Sequence, residues 1–288
     1  MPEVCEVALT AEILNAKLRG KILTAFDFTS GRYGPGRKHP DSYDDFIENL
    51  PLKVRKVDSK GKFMWFDLVK QDDPTIHWYI WSTFGLTGMW SFTPQKFGRL
   101  QISSLQTNLI VYYSDMRNFG TFKFSQDKNE LNKKLIGLGS DILKDNELDL
   151  SSIIKYKKPI VAILMDQKKI GSGIGNYLVA EILYRAKISP HRKCNTLNET
   201  EIQKLTYFTK YMVKICYLYG GTEYMGHLVK ETNKIPRKDY HPDIHIKKKD
   251  YSFIFSVYRQ THDPHGNEVM AEKILNGRTT YWVPTLQK

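Results

Sequence analysis

The feature that most constrains this chain is Gly171-Ser172-Gly173-Ile174-Gly175-Asn176, an alternation of glycines set between two stretches of helical periodicity. Upstream, Pro159 sits where a first helical turn accepts a proline, and Ile160, Val161, Leu164 and Met165 form an apolar stripe. Downstream, Tyr177, Ala180, Leu183 and Tyr184 share one face, and a third amphipathic stretch runs from about Glu199 to Tyr219. A helix does not run through alternating glycines, so the segment is a tight turn joining two helices. It is not a dinucleotide loop: the third glycine of G-x-G-x-x-G is missing, and a helix rather than a strand comes before it. Backbone bare of side chains at Gly171, Gly173 and Gly175 can approach a phosphate closely. The next helix offers its first N–H groups to an anion, and Asn176 adds a side-chain donor. The bland alternative is a glycine-rich turn with no ligand.

The chain ahead of this turn reads as mostly β. Phe63 to Val69 is apolar and aromatic on both faces, and Leu100–Ser103 and Leu109–Tyr113 flank a polar turn around Gln106 and Asn108, the pattern of a hairpin. Gly31 to Pro40 is a loop, and Thr10 opens a short helix with Ile13, Leu14 and Leu18 on one face. The character changes near Ser125, with polar residues through Lys134. Two further strands are expected at the end, Phe253–Tyr258 and Arg278–Val283. The expectation is an α+β chain of two domains. Residues 1–130 form a β-sandwich with flanking helices, 131–155 a linker, and 156–288 a helical domain that closes with a β-hairpin over about 253–288.

A net charge of +12 asks for a polyanionic partner, nucleic acid before an anionic membrane, since no basic amphipathic helix stands out. The cysteines Cys5, Cys194 and Cys216 are odd in number and widely spaced, which argues against a disulfide framework and for a reducing compartment. The acidic, mixed start is not a signal peptide, and no apolar run is long enough to span a bilayer. The expected location is intracellular, wherever the DNA is. Abundant Lys, Asn, Ile and Tyr point to an AT-rich genome, with a giant DNA virus among the sources that fit.

A chain that begins with proline once Met1 is removed exposes a secondary amine at Pro2. Such an amine can attack a sugar C1′ and leave an iminium, and Glu3 and Glu6 lie close in sequence to carry protons. MPEVCEV resembles the start of the formamidopyrimidine-DNA glycosylase and endonuclease VIII family. Further resemblances follow in the family's order: Lys62 in SKGKF, Asp115–Gly120 (DMRNFG), Met165-Asp166-Gln167 with Gly173–Tyr177, and Gly277–Pro284 (GRTTYWVP).

The resemblance implies a bifunctional glycosylase and abasic-site lyase acting on damaged duplex DNA, with single-stranded DNA as a further substrate. It implies a monomer with a helix-two-turn-helix element, Pro2 as nucleophile, Glu3 as proton carrier and Glu6 as a weaker second. Lys62 would contact phosphate near the lesion, with Lys60 its close competitor; Asn176 and Arg278, with Gly173 and Gly175, would grip phosphates. Because the target base must leave the stack, Leu86, Arg117 and Phe119 would fill the void. No cofactor is needed.

Many members hold the hairpin with zinc on four cysteines. Here those positions fall at His262, His265, Val283 and Leu286, so no zinc is expected and apolar packing is expected in its place. This resembles the zincless-finger endonuclease VIII-like branch and implies oxidised pyrimidines, hydantoins and formamidopyrimidines as substrates. Two other readings remain open: a non-catalytic DNA binder on the same fold, and an RNA-binding or ribosomal protein with a helix-two-turn-helix element.

Overall fold

The computed structural model of the protein describes residues 1–104, 108–275 and 277–288; the expected turn residue Gln106 lies outside them. The chain forms two compact units. One comprises residues 1–2, 6–136 and 220–237, the other 3–5, 137–219 and 238–288. The division therefore departs from the 1–130, 131–155 and 156–288 of the sequence reading. Helix α3 (Lys128–Ile136) belongs to the first unit, and the segment after Tyr219 returns to it.

The first unit opens with helix α1 (Val4–Leu18), whose first residues belong to the second unit. It starts well before Thr10. Val4, Cys5, Val7, Ala8, Leu9, Ile13, Leu14 and Leu18 are all fully buried, so the helix is apolar nearly all round. A helix without a polar face carries no periodicity to read, which is why its first half was invisible in the sequence. Next come β1 (Ile22–Phe28), α2 (Tyr43–Glu48), β2 (Leu52–Lys60), β3 (Phe63–Lys70) and β4 (His77–Thr83). They are followed by β5 (Gly88–Ser91), β6 (Gly98–Ser104), β7 (Leu109–Asp115) and β8 (Phe122–Ser125). The expected β6–β7 hairpin is present, with Leu100 opposite Tyr113 and Ser104 opposite Leu109.

The strands form one ladder, β5-β7-β6-β1-β2-β3-β4-β8. The ladder folds over itself into two layers, as the ring contacts show. Phe26 on β1 meets Phe124 and Phe122 on the far-end strand β8 at 5.4 and 6.2 Å, and Trp90 on β5 meets Phe66 on β3 at 5.5 Å. None of these strands are ladder neighbours, so the contacts cross between layers, and the expected β-sandwich is what forms. Alternation along β2 puts Leu52, Val54 and Val57 inward and Lys53, Arg55 and Lys56 outward.

The second unit contains a short parallel pair, β9 (Ser140–Asp141) with β10 (Gly171–Ser172), and helices α4 (Ile160–Leu164), α5 (Asn176–Ala186) and α6 (Glu199–Tyr219). In the first unit, the returning segment carries α7 (Val229–Thr232). Pro159 is the N-cap of α4, one residue ahead of the first-turn position expected. The chain ends in a hairpin of β11 (Met270–Leu275) and β12 (Arg278–Trp282).

The strand expected at Phe253–Tyr258 is absent: that segment has no ladder partner. Its apolar rings gather around Tyr177 instead, Phe255 at 5.4 Å and Phe253 at 6.0 Å. The N–H groups of Ser256, Val257 and Tyr258 donate to the fully buried carboxylate of Glu181 rather than to a strand. A helical glutamate thus takes the place of a neighbouring strand, and no sequence alternation could reveal that.

Phe26, fully buried among Phe28, Phe46, Phe122 and Phe124, is the centre of the sandwich core. Phe26→Ala is expected to cost about 3–5 kcal/mol, read as a lowered midpoint in chemical denaturation at unchanged slope.

Candidate active site and nucleic-acid interface

In the first unit, Pro2 is buried and lines a cavity of about 450 Å³ with Leu86, Met89, Phe97, Met116 and Tyr224. Lys96 and Glu223 add charge to its walls. The segment 220–237 reaches this cavity because Glu6 on α1, itself buried, accepts hydrogen bonds from the Thr222 N–H (3.0 Å) and hydroxyl (2.8 Å). Glu6 therefore anchors a loop.

Lys62 sits at the tip of the β2–β3 hairpin. Lys60 pairs with Phe63, leaving Gly61 and Lys62 as a two-residue turn, and Gly61 has φ 56°, which such a turn favours for glycine. The competitor Lys60 is committed elsewhere: its ammonium donates to the Leu135 carbonyl at 2.8 Å.

The three expected void-filling residues lie on two loops that one carboxylate clamps together. Asp115 ends β7 and is 1 % exposed. It accepts from the Thr87 hydroxyl, from the Arg117 N–H at 3.2 Å and from the Gly120 N–H at 2.7 Å. The Thr87 hydroxyl in turn accepts from the Arg117 N–H at 3.0 Å. Gly85 lies so close to Phe119 and Gly120 that a Cβ there would meet the Gly120 nitrogen at 2.8 Å. Leu86, between Gly85 and Thr87, is thus tied beside the Arg117–Phe119 loop. Phe119 is 49 % exposed, with the Arg117 guanidinium 5.0 Å from its ring centre. An aromatic side chain kept half in water is available to a ligand and contributes little to the core. Met116, 57 % exposed in the same loop, was missed in the sequence; its place beside Arg117 was the available signal.

The second unit holds the other half of the expected set. Glu3, 1 % exposed, accepts from the N–H groups of Gly175 (2.6 Å), Tyr177 (2.9 Å) and Leu178 (3.3 Å). This corrects the expectation for the turn. These first N–H groups of α5 are not open to a phosphate, because a carboxylate from the chain's own start already caps them. The Gly173 N–H is likewise spent, on the Gln167 side chain at 2.7 Å. Gly173 is glycine for packing: its φ is 125°, and a Cβ would lie 2.5 Å from that of Val4. What α5 can offer a phosphate is Asn176, whose Nδ2 donates to the Thr279 carbonyl at 2.7 Å. Arg278 is exposed at the start of β12, after Gly277 with φ 76°. Cys5 is a packing residue, fully buried with its thiol donating to the Val213 carbonyl at 3.3 Å.

The four positions where zinc would be bound do not fit a metal. Val283 is fully buried and, like Leu286, has no donor atom in its side chain; two imidazoles alone do not make a structural site. Among the described residues, no group of three or more His, Cys, Asp or Glu could hold a metal ion. Where apolar packing was expected to serve instead, hydrogen bonds also do so. Burial pushes the Asp263 carboxyl up, but hydrogen bonds from Asn267, Tyr184 and the His265 N–H outweigh it and hold it down to about 2. Burial and the neighbouring Asp263 push the Tyr184 phenol up to about 12, so it keeps the proton it donates.

The first unit thus sets a buried proline in the wall of a cavity and holds exposed side chains on clamped loops, and the second carries a glycine-rich turn between two helices and an arginine-bearing hairpin. Three family descriptions match along the chain: "Formamidopyrimidine-DNA glycosylase N-terminal domain" over 1–122, "H2TH domain" over 140–217 and "C-terminal domain" over 242–288. The chain belongs to the formamidopyrimidine-DNA glycosylase family, the DNA glycosylases of base excision repair. The formamidopyrimidine-DNA glycosylase of Zymomonas mobilis is 33 % identical over 77 % of this chain and 80 % of its own, and that of Prochlorococcus marinus (strain MIT 9301) 27 % over the whole of both. Among solved structures, Lactococcus lactis Fpg bound to DNA with an oxidised pyrimidine is 21 % identical with a TM-score of 0.77, covering both chains fully. The same protein with FAPY-dG DNA gives 0.76 at 21 % identity, over 99 % of this chain and 100 % of its own. Among the described residues, no helix is long and apolar enough to cross a membrane.

Asp115→Ala removes a charged acceptor from several donors at once and is expected to cost about 2–3 kcal/mol. Amide exchange at residues 117–120 should speed up while that of β2 and β3 stays slow, as read by mass spectrometry.

Proposed function

We propose that this glycosylase removes oxidised pyrimidines, hydantoins and formamidopyrimidines from duplex DNA through a Schiff base on the Pro2 nitrogen. The observation that carries the reading is Pro2 in the wall of the 450 Å³ cavity beside Leu86 and Met116. A cavity of this size and mixed lining suits a single everted base. Removal of Met1 frees the Pro2 amine. Its lone pair attacks C1′, the bond from C1′ to the base breaks, and the base leaves with a proton. Glu3, the next residue in the chain, takes the proton that the Pro2 nitrogen gives up and passes it to the ring oxygen as the bond from C1′ to that oxygen breaks, leaving the iminium. The iminium makes the C2′ proton acidic. Loss of that proton expels the 3′ phosphate, and a second elimination expels the 5′ phosphate; Glu6, engaged with Thr222, is the weaker candidate for proton transfer in these later steps.

Leu86, Arg117 and Phe119 fill the space that the everted nucleotide leaves, and Lys62, Asn176 and Arg278 hold its flanking phosphates. Gly173 and Gly175 serve by shaping the turn that presents Asn176. The protein acts as a monomer, also accepts single-stranded DNA, and needs no cofactor. The finger without zinc ligands supports a place in the endonuclease VIII-like branch.

Borohydride reduction on duplex DNA with an abasic site or thymine glycol tests the reading, with the adduct mapped by mass spectrometry. The expected result is an adduct at an N-terminal Pro2, lost or greatly reduced in Pro2→Gly. Protein with a verified free Pro2 that gives no adduct would be a non-catalytic DNA binder. Asn176→Ala and Arg278→Ala are each expected to weaken binding to uncleavable abasic duplex and to lower its salt slope by roughly one. An unchanged slope in a filter-binding titration counts against the phosphate role of that residue.

A further inference from the structure

The terminal hairpin is tied to one side of the chain at successive points along and just beyond α5. The Tyr184 hydroxyl donates to Asp263 Oδ2 at 2.9 Å, and the Ile188 carbonyl accepts from Gln287 Nε2 at 2.9 Å. Asp263 is 5 % exposed and lies in the turn ahead of β11, between His262 and His265. Its Oδ1 accepts from the N–H groups of His265 (2.9 Å) and Asn267 (2.8 Å), and its Oδ2 also accepts from the Asn267 side chain at 2.9 Å. Gln287, 2 % exposed, closes the other end: its Oε1 accepts from the Val283 N–H at 2.7 Å. One oxygen-bearing side chain therefore closes each of the two turns where the metal ligands would have been.

We infer that Asp263 is the positioning residue of this hairpin, locking its first turn to helix α5 through Tyr184 and so fixing where Arg278 meets the DNA backbone. A metal would bring the two turns together through one ion. Here the tie is divided, Asp263 with Tyr184 on one side and Gln287 with the Ile188 carbonyl on the other. The first tie ends on helix α5 and the second two residues beyond its end, and holding a hairpin at two points suits precise presentation of an arginine fork. The inference rests on the reading of Arg278 as a phosphate contact.

The test uses the full chain and an uncleavable tetrahydrofuran abasic duplex titrated at several salt concentrations. Asp263→Ala is expected to weaken binding roughly tenfold and to lower the salt slope by about one. The rate of borohydride-trappable adduct formation at saturating enzyme should be unchanged. Asp263→Asn should restore only part of the affinity, since its amide oxygen can still accept from both turn N–H groups while the acceptor for the Tyr184 hydroxyl is gone. Asp263→Ala with Arg278→Ala should bind no worse than Asp263→Ala alone. Additive losses, or an unchanged slope in Asp263→Ala, overturn the inference.

If Arg278→Ala alone binds as the native chain does, the phosphate reading fails instead. Amide exchange then decides on Asp263: slow exchange at 263–269 and 278–283 that survives Asp263→Ala overturns the positioning role, and its loss supports it. Should Asp263→Ala fail to fold, Tyr184→Phe, which deletes one bond, should show the same loss of affinity and slope in smaller measure. Dialysis against EDTA should change nothing; a loss restored by zinc overturns the inference.

Discussion

The buried carboxylate of Glu3 at the start of α5 is the constraint on which much of the arrangement depends. Helix starts leave N–H groups without partners, and here three are satisfied by an acidic group from the beginning of the chain. Covalent geometry then fixes Pro2 within one peptide unit of that cap. A nucleophile at a chain end would ordinarily sample many positions. Anchoring the next residue limits the backbone freedom of Pro2, which the proposed catalysis by its amine would need. The same economy applies in the sheet unit, where Asp115 gathers the donors of two loops. Exposed side chains such as Phe119 and Met116 are held ready without being buried themselves.

Much of this was legible in the sequence where local chemistry decides the outcome. The α6 boundaries, the β6–β7 hairpin and the glycine-rich turn before α5 follow from periodicity and turn residues. The residues proposed to carry chemistry, Pro2, Lys62 and the Asp115–Gly120 segment, lie in short motifs, which is why the sequence suggests them as a set. What escaped has a common physical cause. The first half of α1 has no polar face, residues 253–258 are organised by Glu181 far away in sequence, and Asp263 and Gln287 act through tertiary partners. Each depends on a contact between distant parts of the chain, and no window of neighbouring residues contains it.

The reading of the turn before α5 illustrates how a sound physical rule can point to the wrong partner. A helix start does attract an anion, as expected, but the anion is the protein's own. Gly173 is required, as expected, but by Val4 rather than by a phosphate. In the proposed reading, phosphate recognition falls to the side chains of Asn176 and Arg278, outside the cap.

The hairpin that carries Arg278 contains no cysteine, and Cys5, Cys194 and Cys216 are fully buried elsewhere. The oxidants that damage bases also attack exposed or metal-bound sulfur, climbing from sulfenic to irreversible sulfonic acid and ejecting the ion. A finger tied by carboxylate and amide oxygens has no sulfur in its ties for them to oxidise. The two ties that hold the hairpin therefore do not depend on the redox state of a thiol.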